Sequence, residues 1–78
     1  MSIQPVGDPW IDTVEMVETN LTAIDAIRGD NEVAHYAEDR LHQGVLNAIA
    51  LGKNKDAPAD LAAAALRSCD IEFDRWYA

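Results

Sequence analysis

Three stretches of this chain carry apolar residues at helical spacing, and a glycine follows each of the first two. Every step along a stretch is three or four residues, so each set lies along one side of an α-helix. The three sets are Trp10, Val14, Val17, Leu21 and Ile24; Ala34, Ala37, Leu41, Val45 and Ala48; and Ala62, Leu66, Cys69, Phe73 and Trp76. Gly29 and Gly52 stand where a helix end favours a left-handed backbone. The pattern predicts an all-α domain of three helices.

We expect residues 1–78 to form a single domain, and residues typical of helix starts indicate where its helices begin. The predicted elements are an extended lead-in over 1–7 and helices at about 9–28, 31–51 and 58–77. Asp8-Pro9 is a strong helix start, because the carboxylate accepts from free backbone N–H groups and proline fits the first helical position. Asp56 and Pro58 restart the chain into the third helix. The short link after Gly29 favours antiparallel neighbours, so we expect an up-down arrangement.

The end of the third helix has an alternative structure. A helix to residue 77 keeps Cys69, Phe73 and Trp76 in register, and no glycine or proline interrupts it. Residues 70–74, however, alternate between acidic and apolar side chains, which is the period of a strand. Acids at a helix C-terminus also oppose the helix dipole. We expect the helix, with a break near Cys69 and a short strand or irregular tail as the alternative.

The apolar sets also predict the core. Its expected members are Trp10, Val17, Leu21, Ile24, Ala37, Leu41, Val45, Ala48, Leu66, Cys69, Phe73 and Trp76. Gly44 lies at the edge of this face, where it either admits another backbone or is a tolerated weak point. A chain of 78 residues has a thin core, since it buries only roughly 60% of its unfolded surface. Pairing into a homodimer would enlarge that core, so a larger bundle of two copies is the alternative to a single three-helix domain.

The chain is strongly acidic, with a formal net charge of −8. Residues 1–52 hold nine acids but only two bases, Arg28 and Arg40. Such a surface repels phosphates, so we expect no direct binding to nucleic acid or to an anionic membrane. It suits a basic protein partner, although the same charge serves solubility alone. We expect a cytoplasmic protein, because the start lacks a secretory pattern, no apolar run reaches membrane-span length and Cys69 has no second thiol.

One set of side chains on the second helix has the composition of a metal site. Its members stand at steps of three, four and three residues and share a helix face: Glu32, His35, Asp39 and His42. Imidazoles and carboxylates at this spacing can bind a transition metal, but such sites draw further ligands from other helices. The opposing interpretation is that both histidines are boundary residues with ordinary helical partners. We therefore expect no metal and no other cofactor.

Nothing in the sequence predicts a catalytic set. Ser68 and Cys69 have no histidine nearby in sequence, and the spacing places Cys69 in the core. The chain also lacks a glycine-rich phosphate loop and the Cys/His spacing of a zinc site. An enzyme is therefore the minority interpretation.

The second helix carries a second stripe in addition to its core face. This stripe consists of His35, Asp39, His42, Leu46 and Ile49, again at steps of four and three. Either the central helix touches both of its neighbours, or the stripe is a surface for a second subunit or another protein. In a three-helix domain a helix packs against two neighbours in any case, so the pattern leaves both explanations open.

These features together predict a protein-interaction module. We expect a small non-catalytic regulator or inhibitor, of the kind a phage or other mobile element encodes, that binds a basic protein surface. Asp12, Glu15 and Glu18 would steer the partner, and Leu46 and Ile49 would anchor it. The full predicted partner-binding set is Asp12, Glu15, Glu18, His35, Asp39, His42, Leu46 and Ile49. The alternative function is that of a homodimeric metal-binding protein or small enzyme that uses Glu32, His35, Asp39 and His42.

Overall fold

The computed structural model describes residues 10–75, and within that range the chain is all-helical, with no strand. Helix α1 spans Val14–Ala26, α2 spans Asn31–Ala50 and α3 spans Pro58–Leu66, and a 3₁₀ helix follows at Arg67–Asp70. The three α-helices pack on one another. The predicted all-α, three-helix class is therefore confirmed. The lead-in over 1–7, the start at Asp8-Pro9 and Trp76 lie outside the described residues.

Helix α1 begins later than predicted. Its N-cap is Thr13, an extended residue whose hydroxyl accepts from the Met16 N–H at 3.1 Å. The prediction of helix from residue 9 is wrong for residues 10–13, because backbone groups of these residues form hydrogen bonds with distant parts of the chain. The Ile11 N–H donates to the Gly44 carbonyl at 2.9 Å, and the Asp12 carbonyl accepts from the Lys55 N–H at 2.8 Å.

Helix α2 begins at the predicted residue and ends one residue before the predicted end. The Asp30 side chain caps its start by accepting from the Val33 N–H at 3.2 Å. At its end, Gly52 has a φ of +69°, and the Lys53 N–H donates back to the Ala48 carbonyl at 2.8 Å. This left-handed glycine with a backward bond is the usual way to satisfy the last carbonyls of a helix. Both ends of α2 are therefore set by neighbouring residues.

Helix α3 is shorter than predicted. Regular helix stops at Leu66, the 3₁₀ turn ends at Asp70, and Ile71 is extended with φ −80° and ψ 124°. The prediction of continuous helix to residue 77 is wrong, and the alternative of a break near Cys69 is the one observed. Residues 71–75, which we call the strap, run on without helical structure. Helix α3 does begin at Pro58, as predicted, but its N-cap is Ala57, and the Asp56 carboxylate accepts instead from the Val14 N–H of α1 at 2.7 Å.

The contacts between elements give the up-down order. The residues that precede α1 bond to Gly44 in the second half of α2, and a short turn joins the two helices at their other ends, so α1 and α2 are antiparallel. Beyond α3, Ser68 contacts His42 and Asp74 contacts Asn31, so the chain there runs back along α2. The strap consequently lies beside the first half of α2.

The core lies among the three helices and confirms half of the predicted members. Its buried apolar residues are Ile11, Val17, Leu21, Ile24, Ala34, Leu41, Val45, Ala48, Leu61, Ala64 and Ala65. The prediction is wrong for Leu66, which is 64% exposed, and for Cys69, which is also exposed. The buried side of α3 is instead the one with Leu61, because an alanine run is apolar all round and leaves the choice of face to packing. Predicted core residues only half-buried here are Trp10, Ala37 and Phe73.

Gly44 brings α2 close to the chain before α1. A Cβ atom placed there would lie 2.9 Å from Ile11 Cγ1 and 3.4 Å from the Ile11 nitrogen. Of the two interpretations of Gly44, the structure therefore supports close approach of another backbone. The contact also explains why Ile11, which the sequence patterns did not place in the core, is buried.

Candidate functional site

An open apolar groove runs between α2 and α3. The residues that line it are His42, Val45, Leu46, Ala62, Ala65 and Leu66. Leu46 on α2 and Leu66 on α3 are each 64% exposed, although both are large and apolar. Exposed apolar residues gathered at one concave place mark an interaction site more often than scattered ones do. The groove is therefore the leading candidate for a docking surface.

Part of the predicted second stripe lies at this groove. His42 and Leu46 line it, whereas Ile49 is half-buried and packs against the core. His35 and Asp39 lie earlier on α2, where His35 Nε2 is 3.6 Å from Asp39 Oδ1. The stripe is therefore divided: Ile49 packs within the fold, as the first explanation predicts, whereas Leu46 faces solvent, and its use as a surface for a partner stays a prediction.

The acidic residues of the predicted set lie elsewhere. Asp12 precedes α1, and its largely buried side chain lies 3.8 Å from Lys55 Nζ. Glu15 is exposed, and Glu18 pairs with Arg67 at 3.5 Å. No residue of α1 lines the groove. The structure therefore divides the predicted partner-binding residues into a groove group on α2 and an acidic group on and before α1.

A buried ion pair fastens the strap to α2. The side chain of Glu38 is only 5% exposed, and its two oxygens accept from Arg75 Nε at 2.9 Å and from Arg75 Nη2 at 3.0 Å. This two-pronged geometry matches the planar guanidinium to the planar carboxylate and is among the stronger ion-pair arrangements. Glu38 and Arg75 are 37 residues apart in sequence. The pair is the main long-range fastening of the strap.

The same guanidinium closes the end of the helical segment. Arg75 Nη2 donates to the carbonyls of Ser68 at 2.9 Å and Ile71 at 3.0 Å, and Nη1 donates to the Phe73 carbonyl at 3.2 Å. Its Cζ also lies 3.8 Å from the centre of the Phe73 ring, within cation–π range. Carbonyls at a helix end lack partners within the helix. Arg75 therefore satisfies them and anchors the strap with one side chain.

Glu38 and its neighbours form one hydrogen-bonded network. Burial by itself raises the pKa of Glu38, but the hydrogen bonds from Arg75 and from Ser68, with the charges of Arg75 and His42, leave that pKa below its ordinary value. The Ser68 side chain is fully buried and also lies 2.9 Å from His42 Nε2. A hydroxyl with no solvent access cannot reach a substrate, so this Ser–His–Glu set is structural. It links the strap to the groove wall at His42.

The candidate metal ligands do not come together. His42 is bonded to Ser68, Asp39 lies beside His35, and Glu32 is exposed in the first turn of α2. Among residues 10–75, no group of three or more His, Cys, Asp or Glu side chains is placed to hold a metal ion. The shared helix face that motivated the idea is real, but one face of one helix supplies too few converging ligands.

Sequence reasoning missed Glu38, Ser68 and Arg75 as a connected set. A signal for Glu38 was present, since it stands four residues after Ala34 and three before Leu41, on the core face of α2. An acid at a core position needs a buried partner. The sequence does not show which of the six basic residues supplies it.

The groove and the buried network belong to one small helical domain, in which the groove is an exposed apolar surface. Within the described part of the chain, no helix has both the length and the apolar character needed to cross a membrane. Comparisons with protein-family models, curated proteins and solved structures found no match to this chain.

Proposed function

We propose that the protein is a small acidic interaction module, a non-catalytic regulator or inhibitor that binds a basic surface of another protein in the cytoplasm. The observation that carries this proposal is the apolar groove between α2 and α3. Leu46 and Leu66 stand exposed on its two sides, and Val45 and Ala65 lie between the helices. Burying one leucine contributes about 1.5–3 kcal/mol. A partner that covers both leucines gains an anchor that charge alone does not supply.

Charge supplies the other half of the proposal. The net charge is −8, and Glu15 and Asp39 are among the exposed acids. Acids distributed around an apolar anchor raise the encounter rate with a basic protein more than they raise the final affinity. Because no acid among residues 10–75 lines the groove, we assign steering to the surrounding surface and anchoring to the groove.

Pairing of two copies through the same groove is the second candidate. The specific observation is the outer side of α3, where the exposed side chains of Ala59, Ala62, Ala63 and Leu66 are all apolar. Asp60 is the one charged residue within α3. Two acidic copies repel each other least across a face without charge. A homodimer of this kind would hide Leu46 and Leu66 and extend the thin core.

The test is affinity capture from the native host with the tagged 78-residue chain, combined with light scattering on the pure protein. Leu46→Asp and Leu66→Asp place a charge in the groove. Leu51→Asp is the matched control, because Leu51 is 61% exposed and does not line the groove. We expect capture of a basic protein, identified by mass spectrometry, that both groove variants lose and the control retains.

A charge variant separates steering from anchoring. Glu15→Lys should make capture weaker and less dependent on salt without abolishing it, because it removes part of the charge attraction that salt screens and rim charges act mainly on association. Capture that survives Leu46→Asp would contradict the groove as the docking surface. A pure protein that is dimeric, that Leu46→Asp turns into a monomer, and that captures no basic protein would instead establish the second candidate.

A further inference from the structure

The strap occupies a site on α2 that binds a chain segment in extended conformation. Exposure alternates along it: Ile71, Phe73 and Arg75 are half-buried, whereas Glu72 and Asp74 are exposed. This is the two-residue period of an extended chain lying on a surface. Ile71 and Phe73 pack against the core cluster, and Arg75 reaches Glu38. The site therefore recognises two apolar side chains two residues apart, followed after two more by an arginine.

Glu38 is the element of this site that selects arginine. Both of its oxygens are used by one guanidinium, at 2.9 and 3.0 Å. Lysine has no planar fork and cannot match this arrangement with a single ammonium group. The carboxylate is also too buried to stay charged without a cation beside it. The site therefore favours a segment that brings a positive charge to this point over a neutral one.

The strap is held by contacts that another segment can reproduce. Arg75 binds through its side chain, and the Asp74 N–H donates to the Asn31 side-chain oxygen at 3.1 Å. Other contacts lie within the strap itself. The Arg75 guanidinium stacks on the Phe73 ring and donates hydrogen bonds to the Ile71 and Phe73 carbonyls. A second segment with the same pattern carries those internal contacts with it. The Ser68 carbonyl, which accepts from Arg75 Nη2 at 2.9 Å, belongs to the 3₁₀ helix before the strap, so an arginine of a second segment can bind it in the same way.

We propose that the Glu38 site is a docking site for an extended, arginine-bearing segment of the basic partner, and that the strap fills it in cis as an autoinhibitory segment. The proposal rests on the proposed function for its partner, but it uses a different surface from the groove. A tethered segment acts at an effective concentration in the millimolar range. The intact chain therefore rejects weak ligands, and a partner gains entry by displacing the strap.

The experiment uses the 78-residue chain and a capped, fluorescein-labelled peptide of residues 70–75, with binding measured by fluorescence anisotropy. Arg75→Lys weakens the strap while keeping a positive charge beside Glu38, so the chain is expected to remain folded, as circular dichroism will check. The peptide should bind this variant at least about tenfold more tightly than it binds the unaltered chain, because the peptide brings the arginine that the strap has lost. Equal binding to the two proteins would overturn the proposal.

Two controls assign the binding to the Glu38 site. Glu38→Gln added to Arg75→Lys should weaken peptide binding by at least about tenfold, and so should a peptide that carries glutamine in place of its arginine. Leu46→Asp added to Arg75→Lys should leave peptide binding unchanged. Loss of binding with Leu46→Asp would show that the peptide sits in the groove, which overturns this proposal and leaves the proposed function standing. Binding that ignores Glu38 would also overturn it.

Discussion

Helix α2 and the strap lie side by side, yet they are held in place by opposite kinds of interaction. Asp30 and Gly52 close the ends of α2, and each acts within a few residues of its own position. The strap is fastened by Arg75 to Glu38 and by Asp74 to Asn31, across 37 and 43 residues respectively. A locally capped helix tolerates changes elsewhere in the molecule. The strap keeps its place only while its distant partner is intact.

The same contrast appears between two positions on α2 itself. Leu46 is exposed without penalty to the fold, because an apolar side chain in water leaves no bond unmade. Glu38 is buried and requires the whole set of Arg75, Ser68 and His42 around it. An exposed apolar residue can thus take part in binding without a cost to the fold, whereas a buried acid is stable only when its neighbouring residues keep one arrangement.

The sharpest way to break the contrast is to remove the charge of Arg75. Arg75→Gln leaves the Glu38 carboxylate buried without its cation, so we expect the free energy of unfolding to fall by about 3 kcal/mol. The measurement is urea denaturation followed by circular dichroism. Glu38→Gln in the same background should restore part of the loss, because it removes the stranded charge. A loss below about 1 kcal/mol for Arg75→Gln would show that the ion pair does not fasten the strap.

A second change tests the tight contact on the other side of α2. Gly44→Ala places a methyl group 2.9 Å from Ile11 Cγ1 and 3.4 Å from the Ile11 nitrogen, and Ile11 is buried. Overpacking costs about 1–3 kcal/mol, and better helix propensity offsets about 1 kcal/mol, so we expect a net loss of about 1 kcal/mol. Gly29→Ala is the matched control, because nothing lies within 4 Å of its added methyl. If Gly44→Ala leaves the free energy of unfolding unchanged in thermal or urea denaturation, the Ile11 side chain moves aside to make room for the methyl group.

A third change probes the local capping of α2. Asp30→Ala removes the side-chain acceptor for the Val33 N–H, at an expected cost of about 1 kcal/mol in unfolding free energy. Hydrogen exchange should show faster opening in the first turn of α2, with the exchange of strap amides less affected. The converse change is Ala57→Ser, since Ala57 caps α3 without a side-chain bond, and it should stabilise by about 0.5 kcal/mol. Equal exchange effects in the strap and in α2 would remove the distinction between them.

The finest test is the pH dependence of the network. The pKa of Glu38 lies below its ordinary value of 4.5 in the folded chain, so the folded state holds its proton less tightly than the unfolded state does. This contribution to stability is complete above the ordinary value and is lost as the pH falls through the lowered one. Unfolding free energies from pH 6 to pH 3 should therefore fall more steeply for the unaltered chain than for Glu38→Gln. If the unfolding free energies of the two proteins fall in parallel with pH, the lowered pKa of Glu38 does not contribute to stability and the prediction is wrong.

Local signals were enough to predict the helical class and the whole of α2. Its apolar spacing, Asp30 before it and Gly52 after it all act within one or two turns, so a pattern of single residues captures them. The groove was half predicted. The stripe that contains His42 and Leu46 predicts a contact face on α2. Leu66, on the opposite wall, is predicted in the core because its spacing continues to Cys69 and Phe73, but the alanine run around it does not indicate which side of α3 packs.

Residue patterns along the chain were enough to predict that it is helical, that its middle helix begins at Asn31 and ends within a residue of Ala50, and that its net charge is strongly negative. The packing of distant segments was needed to show that Asp56 caps α1 rather than α3, that α3 buries Leu61, and that the strap leaves the helix to bring Arg75 to Glu38. Helix propensity and capping act between near neighbours, so they can be read along the chain. The pairing of a buried charge depends on which distant residue the folded backbone brings within about 3 Å of it, and no local pattern encodes that distance.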